Sequence, residues 1–557
     1  MIDPRPSDLR VPRKSLRLPR PDGWSLGALV IATLVLMPIV SIVWIAFHPV
    51  ENIWPHLLSS VLPRYLTNTL VLMTGVAALT AAVGTGAAWL VTMYRFPGAR
   101  VLDHALLFPL AIPAYIGAYA LADFFDYSGA LQTTLRGLAG WQSARDYWFP
   151  EVRSRWAAIL VLSSALYPYV YLLARAAFRE QSGASYEVAR ALGKGPWGLF
   201  FRVGLPLARP AIAAGVALAM METVADFGTV EHFGVQTLTT GIFSVWLTAG
   251  NAGGAAQIAG VVLVLIFLLL ALERIGRRNA RFHRMSRGAR PIQPVRLRGV
   301  RGWGASALCA LPVAMGFLLP VGVMLNHALR KPDAWTSPGL TRALANTLTV
   351  GGVAAVLTVG GAVFLVYGVR LARRGVPRLV LPLTLLGYAA PGAVLALGLL
   401  IPLAALDHRL ADAVAAVTGR DPGLLLTGTA AALVLAYMVR FFGVAQGAVD
   451  SAFGRISPSL PMAARSLGRG PGAVLGRVYL PLMRGSVATA LLVVFVDCVK
   501  ELPATLLLRP FNYNTLATRA HEQASLERLG EAAPAALLVM LVGIAAVALL
   551  ARANRVR

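Results

Sequence analysis

The chain is poor in charge, in lysine and in cysteine, and each shortage excludes something. Only 14% of its 557 residues are charged, against roughly a quarter in soluble domains, which argues against an ordinary water-soluble fold. The two cysteines, Cys309 and Cys498, lie inside apolar runs and supply neither a disulfide framework nor metal-ligand spacing. Core packing is the role expected of them. Lys14, Lys194, Lys331 and Lys500 are the only lysines, and the remaining basic charge is arginine. No His-Glu-x-x-His, paired-cysteine or nucleophile-elbow pattern occurs. A Gly-x4-Gly-Lys-Ser/Thr phosphate loop is missing too, so no enzyme site and no ATP site is legible in the chain.

What is abundant is apolar. Hydrophobic residues make up 57% of the chain, and they recur in runs of about 20, long enough to cross a hydrocarbon core of about 30 Å as a helix. A β-barrel would show short alternating segments instead. The expected fold is an all-α membrane protein of twelve spans, near residues 24–47, 67–94, 102–124, 156–178, 210–230, 257–276, 304–327, 343–369, 379–404, 425–447, 485–507 and 533–552. The run at 24–47 is too long for a signal-peptide core and lacks a small-residue cleavage site, so it reads as the first span.

The formal charge of +26 would suggest nucleic acid in a soluble protein. Here the positives sit between spans and set orientation, so no nucleic-acid partner is expected. Ten arginines lie in 274–301 and four in 370–378, whereas 231–256 has no Lys or Arg. This places both termini inside and 231–256 outside.

The two halves repeat. EVARALGKGPWGLFFRVGLPLARP (187–210) lies over MAARSLGRGPGAVLGRVYLPLMRG (462–485) at a constant offset of 275, and Asn68-Thr69-Leu70 recurs as Asn346-Thr347-Leu348 at 278. Both copies run in the same order and orientation, as expected of a duplication about an axis along the membrane normal. The expected organisation is a basic tail at 1–23, a first six-span domain at 24–276, an Arg-rich linker at 277–302 and a second six-span domain at 303–557.

The best-matched segments are inside loops. Tyr186–Leu192 and Pro461–Leu467 are each expected to form a short helix, ended by Gly193 and Gly468 in the left-handed cap conformation. Leu-Pro, with Pro206 and Pro481, then leads into a span. The spacing Glu-x-Ala-x3-Gly-x9-Val-x-Leu-Pro resembles the cytoplasmic loop of ABC importer permeases, which forms a coupling helix in a cleft of an ATPase subunit. Glu187, Ala189, Arg190, Gly193 and Pro206 in the first loop match Met462, Ala464, Arg465, Gly468 and Pro481 in the second. Val188 stands where the family has Ala, and Met462 where it has Glu. The resemblance implies two copies of a separate ATPase that binds ATP and Mg, with no cofactor held by this chain, in a bacterial inner membrane.

Apolar runs also carry acids. Glu222 and Asp226 fall on Asp497 and Glu501 at the offset of 275, a pair at i and i+4 on one helical face in each half. Counted from Pro210 at about 1.5 Å per residue, they lie from the middle to the outer half of the bilayer. Intramembrane acids are candidates for a substrate pathway, because burying a carboxylate is costly unless it is paired or hydrated. A hard cation favours such oxygen ligands, in transient contact and without a resident metal site. A packing network partly neutralised by Lys500 is the alternative. Asp123, Asp126, Tyr127, Glu231 and His232, near outside span ends, are weaker candidates, for which plain solvation is expected.

PLAIPAYIGAYALADFFDYSGALQT (109–133), METVADFGTVEHFGVQTLTTGIF (221–243) and VDCVKELPATLLLRPFNYNTLATRA (496–520) are similar to the ferric-iron ABC importer permeases. In the last two, Phe233, Thr237, Leu238 and Thr240 correspond to Phe511, Thr515, Leu516 and Thr518 at an offset of 278. That resemblance implies Fe(III) as cargo, delivered by an extracytoplasmic binding protein. Thiamine, a phosphonate or another small solute is the alternative cargo, and a twelve-span secondary transporter the alternative class.

Overall fold

A computed structural model describes residues 23–49, 52–278, 292–371 and 381–553. The basic tail before Gly23 and most of the Arg-rich linker lie outside the described residues. The described residues form helices apart from turns, connections and one two-residue parallel pairing, Tyr94–Arg95 with Val295–Arg296. That pairing ties the end of the linker to the first half, and the next helix opens at Gly299, ahead of the expected boundary at 303.

Among the described residues, eleven helices are long and apolar enough to cross a membrane, and one bent pair counted as a span brings the number to twelve. The main helices are α1 (Gly23–Phe47), α2 (Leu62–Met93), α3 (Ala99–Ala105), α4 (Ala114–Phe125), α5 (Arg155–Glu180), α6 (Gly183–Ala191), α7 (Leu205–Ala225), α8 (Gly228–His232), α9 (Leu238–Phe243) and α10 (Ala252–Arg278). There follow α11 (Gly299–Val313), α12 (Leu319–Arg330), α13 (Pro338–Leu371), α14 (Leu386–Ala389), α15 (Gly392–Thr418), α16 (Ala430–Gly454), α17 (Ser459–Ser466), α18 (Leu480–Lys500), α19 (Pro503–Leu508), α20 (Leu516–Ser525) and α21 (Leu529–Ala553).

Two expectations about spans need correction. The segment 102–124 is not one straight span but a helix pair bent by 98°. The break falls at Ile112-Pro113, where Ile112 is extended at φ −102°, ψ 121°, as the residue before a proline is pushed to be. Its counterpart at Ala390-Pro391 breaks the chain before α15, so the helix expected at 379–404 runs instead from Gly392 to Thr418. Nor do the spans expected at 210–230 and 485–507 begin after Leu-Pro. Their helices open at Pro196 and Pro471 and pass through five π-helical residues, Phe200–Gly204 and Leu475–Tyr479, before Pro206 and Pro481. A proline inside a helix has no N–H to bond its preceding turn, and the widened turn in both copies sits immediately ahead of it.

The loop helices form as expected. After α6, Gly193 takes φ 77° and after α17 Gly468 takes φ 75°. Lys194 N bonds Ala189 O at 3.0 Å and Arg469 N bonds Ala464 O at 3.1 Å, the closing pattern of a Schellman cap. The Asn-Thr-Leu repeat has a structural job. Thr69 Oγ1 accepts from Leu238 N at 3.1 Å, and Thr347 Oγ1 accepts from Leu516 N at 2.8 Å. Each joins the start of a long helix to a short one, α9 or α20, that carries a Thr-x-x-Thr capping box.

The halves interlock. Helix α1 packs on α13 and α15 of the second half, and α12 packs on α4 of the first. At Gly398 the α1 backbone comes so close that a Cβ would run into the Pro38 carbonyl, which is why that turn of α15 has no side chain.

Candidate functional site

Helices α7 and α18 stop at equivalent points. Ala225 and Lys500 are their last residues, and Asp226 and Glu501 follow in extended conformation, at ψ 136° and ψ 119°. The expected i,i+4 face is therefore not continuous: Glu222 and Asp497 ride on the helices, while Asp226 and Glu501 lie just past their ends. The two kinds of acid do different things. Asp226 accepts hydrogen bonds from Thr229 N at 3.0 Å, Thr229 Oγ1 at 2.9 Å and Val230 N at 3.2 Å, which starts α8. Glu501 accepts from Ala504 N at 3.0 Å in α19 and takes Arg440 Nε at 3.0 Å. Carboxylates at a helix start satisfy amides that have no partner within the helix.

All four acids line one central cavity of about 190 Å³ between the halves, together with Arg440, Lys500, Tyr115, Tyr169 and Tyr388. Among the described residues, Glu222 and Asp497 have no hydrogen bond and no close ion pair. Both interact electrostatically with Arg440, and Asp497 also with Lys500. Lys500 makes no close ion pair: its Nζ donates to the Leu110 carbonyl at 2.9 Å, and it interacts with Asp497 and Glu222 across the cavity. Arg440 pairs with Glu501, and the four acids against two bases leave a formal charge of −2 on the cavity wall. The bases sit on the second-half side alone. At the offset of 275, Ala165 stands opposite Arg440 and Ala225 opposite Lys500.

Arg440 was overlooked, although a lone arginine in the apolar run 425–447 is itself a signal. The tyrosines carried no signal that separates them from core aromatics.

The outer candidates are occupied. Asp123 pairs with His327 Nε2 at 3.0 Å, Asp126 accepts from Tyr127 N at 2.8 Å, and Arg136 lies over the Tyr127 ring at 4.0 Å. His232 is not simply solvated: it is half-buried, edge-on to Tyr119 at 4.8 Å, and burial and nearby Arg153 lower its pKa to about 4. Glu231 reaches His521 Nε2 at 3.3 Å, and the Tyr119 hydroxyl and His521 Nδ1 share a hydrogen bond of 2.6 Å. Burial and Arg509 also lower His521 to about 4.

At the opposite end of the bundle the loop helices are exposed. Glu187 and Arg190 on α6 and Arg465 on α17 face outward, whereas Ala189 is buried. Val188, Leu192, Met462 and Leu467 are 60%, 73%, 62% and 81% exposed. Both departures from the loop pattern, Val188 and Met462, therefore lie on the outward face.

Residues 81–281 match the family described as binding-protein-dependent transport system inner membrane component. The chain is 26% identical over 483 residues to the Fe(3+)-transport system permease protein FbpB 2 of Haemophilus influenzae, an alignment covering 86% of this chain and 87% of that protein. It is 31% identical over 144 residues to the sulfate transport system permease protein CysT of Escherichia coli, covering 26% of this chain and 48% of that one. It is 29% identical over 147 residues to the molybdenum transport system permease protein ModB of Escherichia coli, covering 26% and 60%.

Proposed function

We propose that this chain, an ABC importer permease with the inner-membrane component domain of binding-protein-dependent transport systems, carries Fe(III) into the cell. The observation behind this reading is the central cavity. Its wall carries two acids from each half and a formal charge of −2, which falls on the first-half side because Arg440 and Lys500 offset Asp497 and Glu501, and its volume is about 190 Å³. Pockets for organic ligands usually run to about 300–1,000 Å³, whereas an ion with a few waters, at about 30 Å³ each, suits this size. An excess of acid repels an oxyanion such as the sulfate named for one of the shorter matches, and suits the Fe(3+) named for the relative aligned along most of the chain.

The chain works as two six-span domains, 24–276 and 303–557, in a bacterial inner membrane with both termini in the cytoplasm. A binding protein delivers Fe(III) from outside. Two copies of a cytoplasmic ATPase grip α6 and α17 through Glu187, Arg190, Met462, Arg465 and the exposed apolar residues around them. ATP and Mg belong to those subunits, and the permease is a transport subunit rather than an enzyme. Closing of the ATPases moves the loop helices, which are joined through Gly193 and Gly468 to the helices that open at Pro196 and Pro471 and lead into α7 and α18, and so moves the acids at their far ends.

The test is a substrate-stimulated ATPase assay in proteoliposomes with the binding protein outside. Stimulation by ferric-loaded binding protein, and not by sulfate, molybdate or thiamine, is the expected result. Stimulation by an anion alone would reject the cargo.

A further inference from the structure

The cavity holds more oxygen than its acids supply. Tyr115 is 5% exposed and its hydroxyl has no hydrogen-bond partner, although buried polar groups are nearly always bonded. Tyr169 and Tyr388 line the same cavity. The Tyr169 hydroxyl interacts electrostatically with Glu222, Tyr388 and Asp497, and Tyr388 with Glu222 and Asp497. Tyr115 does so with Glu501 and Asp226. None of the three is required by the duplicated fold. At the offsets that superpose the helix starts, 278 for α4 on α15 and 275 for α5 on α16, Tyr115 has Ala393 as its counterpart and Tyr169 has Val444. Leu110 stands opposite Tyr388 at 278.

We propose that Tyr115, Tyr169 and Tyr388, together with Glu222 and Asp497, form an all-oxygen transit site for Fe(III) between the two halves. This rests on iron being the cargo. Hard cations prefer carboxylate and other oxygen donors, and tyrosine oxygen is an established ligand of protein-bound iron. Among the described residues, no group of three or more His, Cys, Asp or Glu side chains is placed to hold a metal. Two unpaired carboxylates alone are a thin ligand set, and the phenols extend it with further oxygen donors of the kind a hard ion prefers. The donors come from α4, α5, α7, α18 and α14, on both halves, so the set is complete only when the halves are together and disperses as they part. Tyr115, binding as phenolate, releases one proton, which Asp226 or Glu501 beside it can accept, while Tyr169 and Tyr388 bind as neutral phenols.

The experiment uses the permease assembled with its ATPase, in nanodiscs with ferric citrate as probe for absorption and in proteoliposomes with ATP inside for uptake. Bound phenolate gives Fe(III) a visible charge-transfer absorption, and Ga(III), which has none, serves as the silent control. Wild type should develop the absorption. The triple variant Y115F/Y169F/Y388F, compared at equal amounts of assembled complex, should lose it and take up iron at least tenfold more slowly. E222Q/D497N should lose both as well. An absorption retained in the triple variant, or iron uptake by that variant at the wild-type rate, overturns the proposal. If wild type takes up no iron at all, the cargo reading itself fails, and the two failures are told apart by that one control.

Discussion

Removing the two unpaired carboxylates, Glu222→Gln with Asp497→Asn, should nearly stop transport while leaving the protein folded. Neither side chain holds a helix end or an ion pair among the described residues, so their amides disturb no bonded network. A unit charge about 6 Å from a trivalent ion, at an effective dielectric of about 20, contributes about 8 kcal/mol before dehydration is counted. If only a quarter of that survives compensation, about 2 kcal/mol per acid, each single variant slows transit about 30-fold. Neighbouring charges acting on one ion are coupled, so the double variant need not show the product of the singles. A fall beyond about a hundredfold is the expected outcome. Radioiron uptake into proteoliposomes gives the rate, and membrane level and ATPase binding give the fold control. A double variant that transports Fe(III) at the wild-type rate would show that these acids are structural. Asp226→Asn with Glu501→Gln, the pair that spacing alone would favour, is a poorer test, because it removes two helix caps and leaves Arg440 unpaired.

Arg440→Met should lower thermal stability by about 3–5 kcal/mol, the usual cost of leaving a buried charge unpaired, and Glu501→Gln in the same chain should restore part of it; equal melting temperatures for wild type and R440M would contradict the pairing. A proline at Val188 or charge reversal at Arg190 or Arg465 should leave the fold intact and uncouple ATP hydrolysis from uptake, and normal coupled uptake in the proline variant would count against ATPase docking on α6. Glu187→Met should impair ATPase binding more than Met462→Glu, since the second loop already lacks that charge; equal losses would remove any role for the asymmetry. His232 and His521, lowered by burial to about 4, bind protons more readily when unfolded, so their stabilising share is complete above their ordinary pKa of about 6.5 and declines as pH falls towards 4. Melting temperature should therefore drop over that window, less steeply in H521Q, and parallel curves would refute the assignment.

The helical class, the duplication and the loop helices were legible because each follows from local rules: apolar run length, a fixed offset, and a glycine at a left-handed cap. The Asn-Thr-Leu and Thr-Leu-x-Thr repeats were visible as patterns, but not as partners of one another, since Thr69 and Leu238 meet only through the fold. The four acids were found because carboxylates stand out in apolar runs. Their separate tasks were hidden, because the helix ends at Ala225 and Lys500, where apolar periodicity carries no stop signal. Lys500 drew attention by sequence proximity to Asp497, whereas the partner of Glu501 is Arg440, from a different helix. The tyrosines were illegible for a simpler reason: an aromatic residue facing a cavity and one facing lipid look the same in sequence.

The central claim is that a ferric ion crosses through the acid-lined cavity, and uptake measured with competing cargoes tests it most directly. Proteoliposomes holding the permease, its ATPase and its binding protein would be given radiolabelled Fe(III), sulfate and molybdate in turn, with ATP inside. The account predicts ATP-dependent accumulation of iron alone, abolished by Glu222→Gln with Asp497→Asn. Accumulation of sulfate or molybdate without iron, or iron uptake indifferent to those two substitutions, would contradict it.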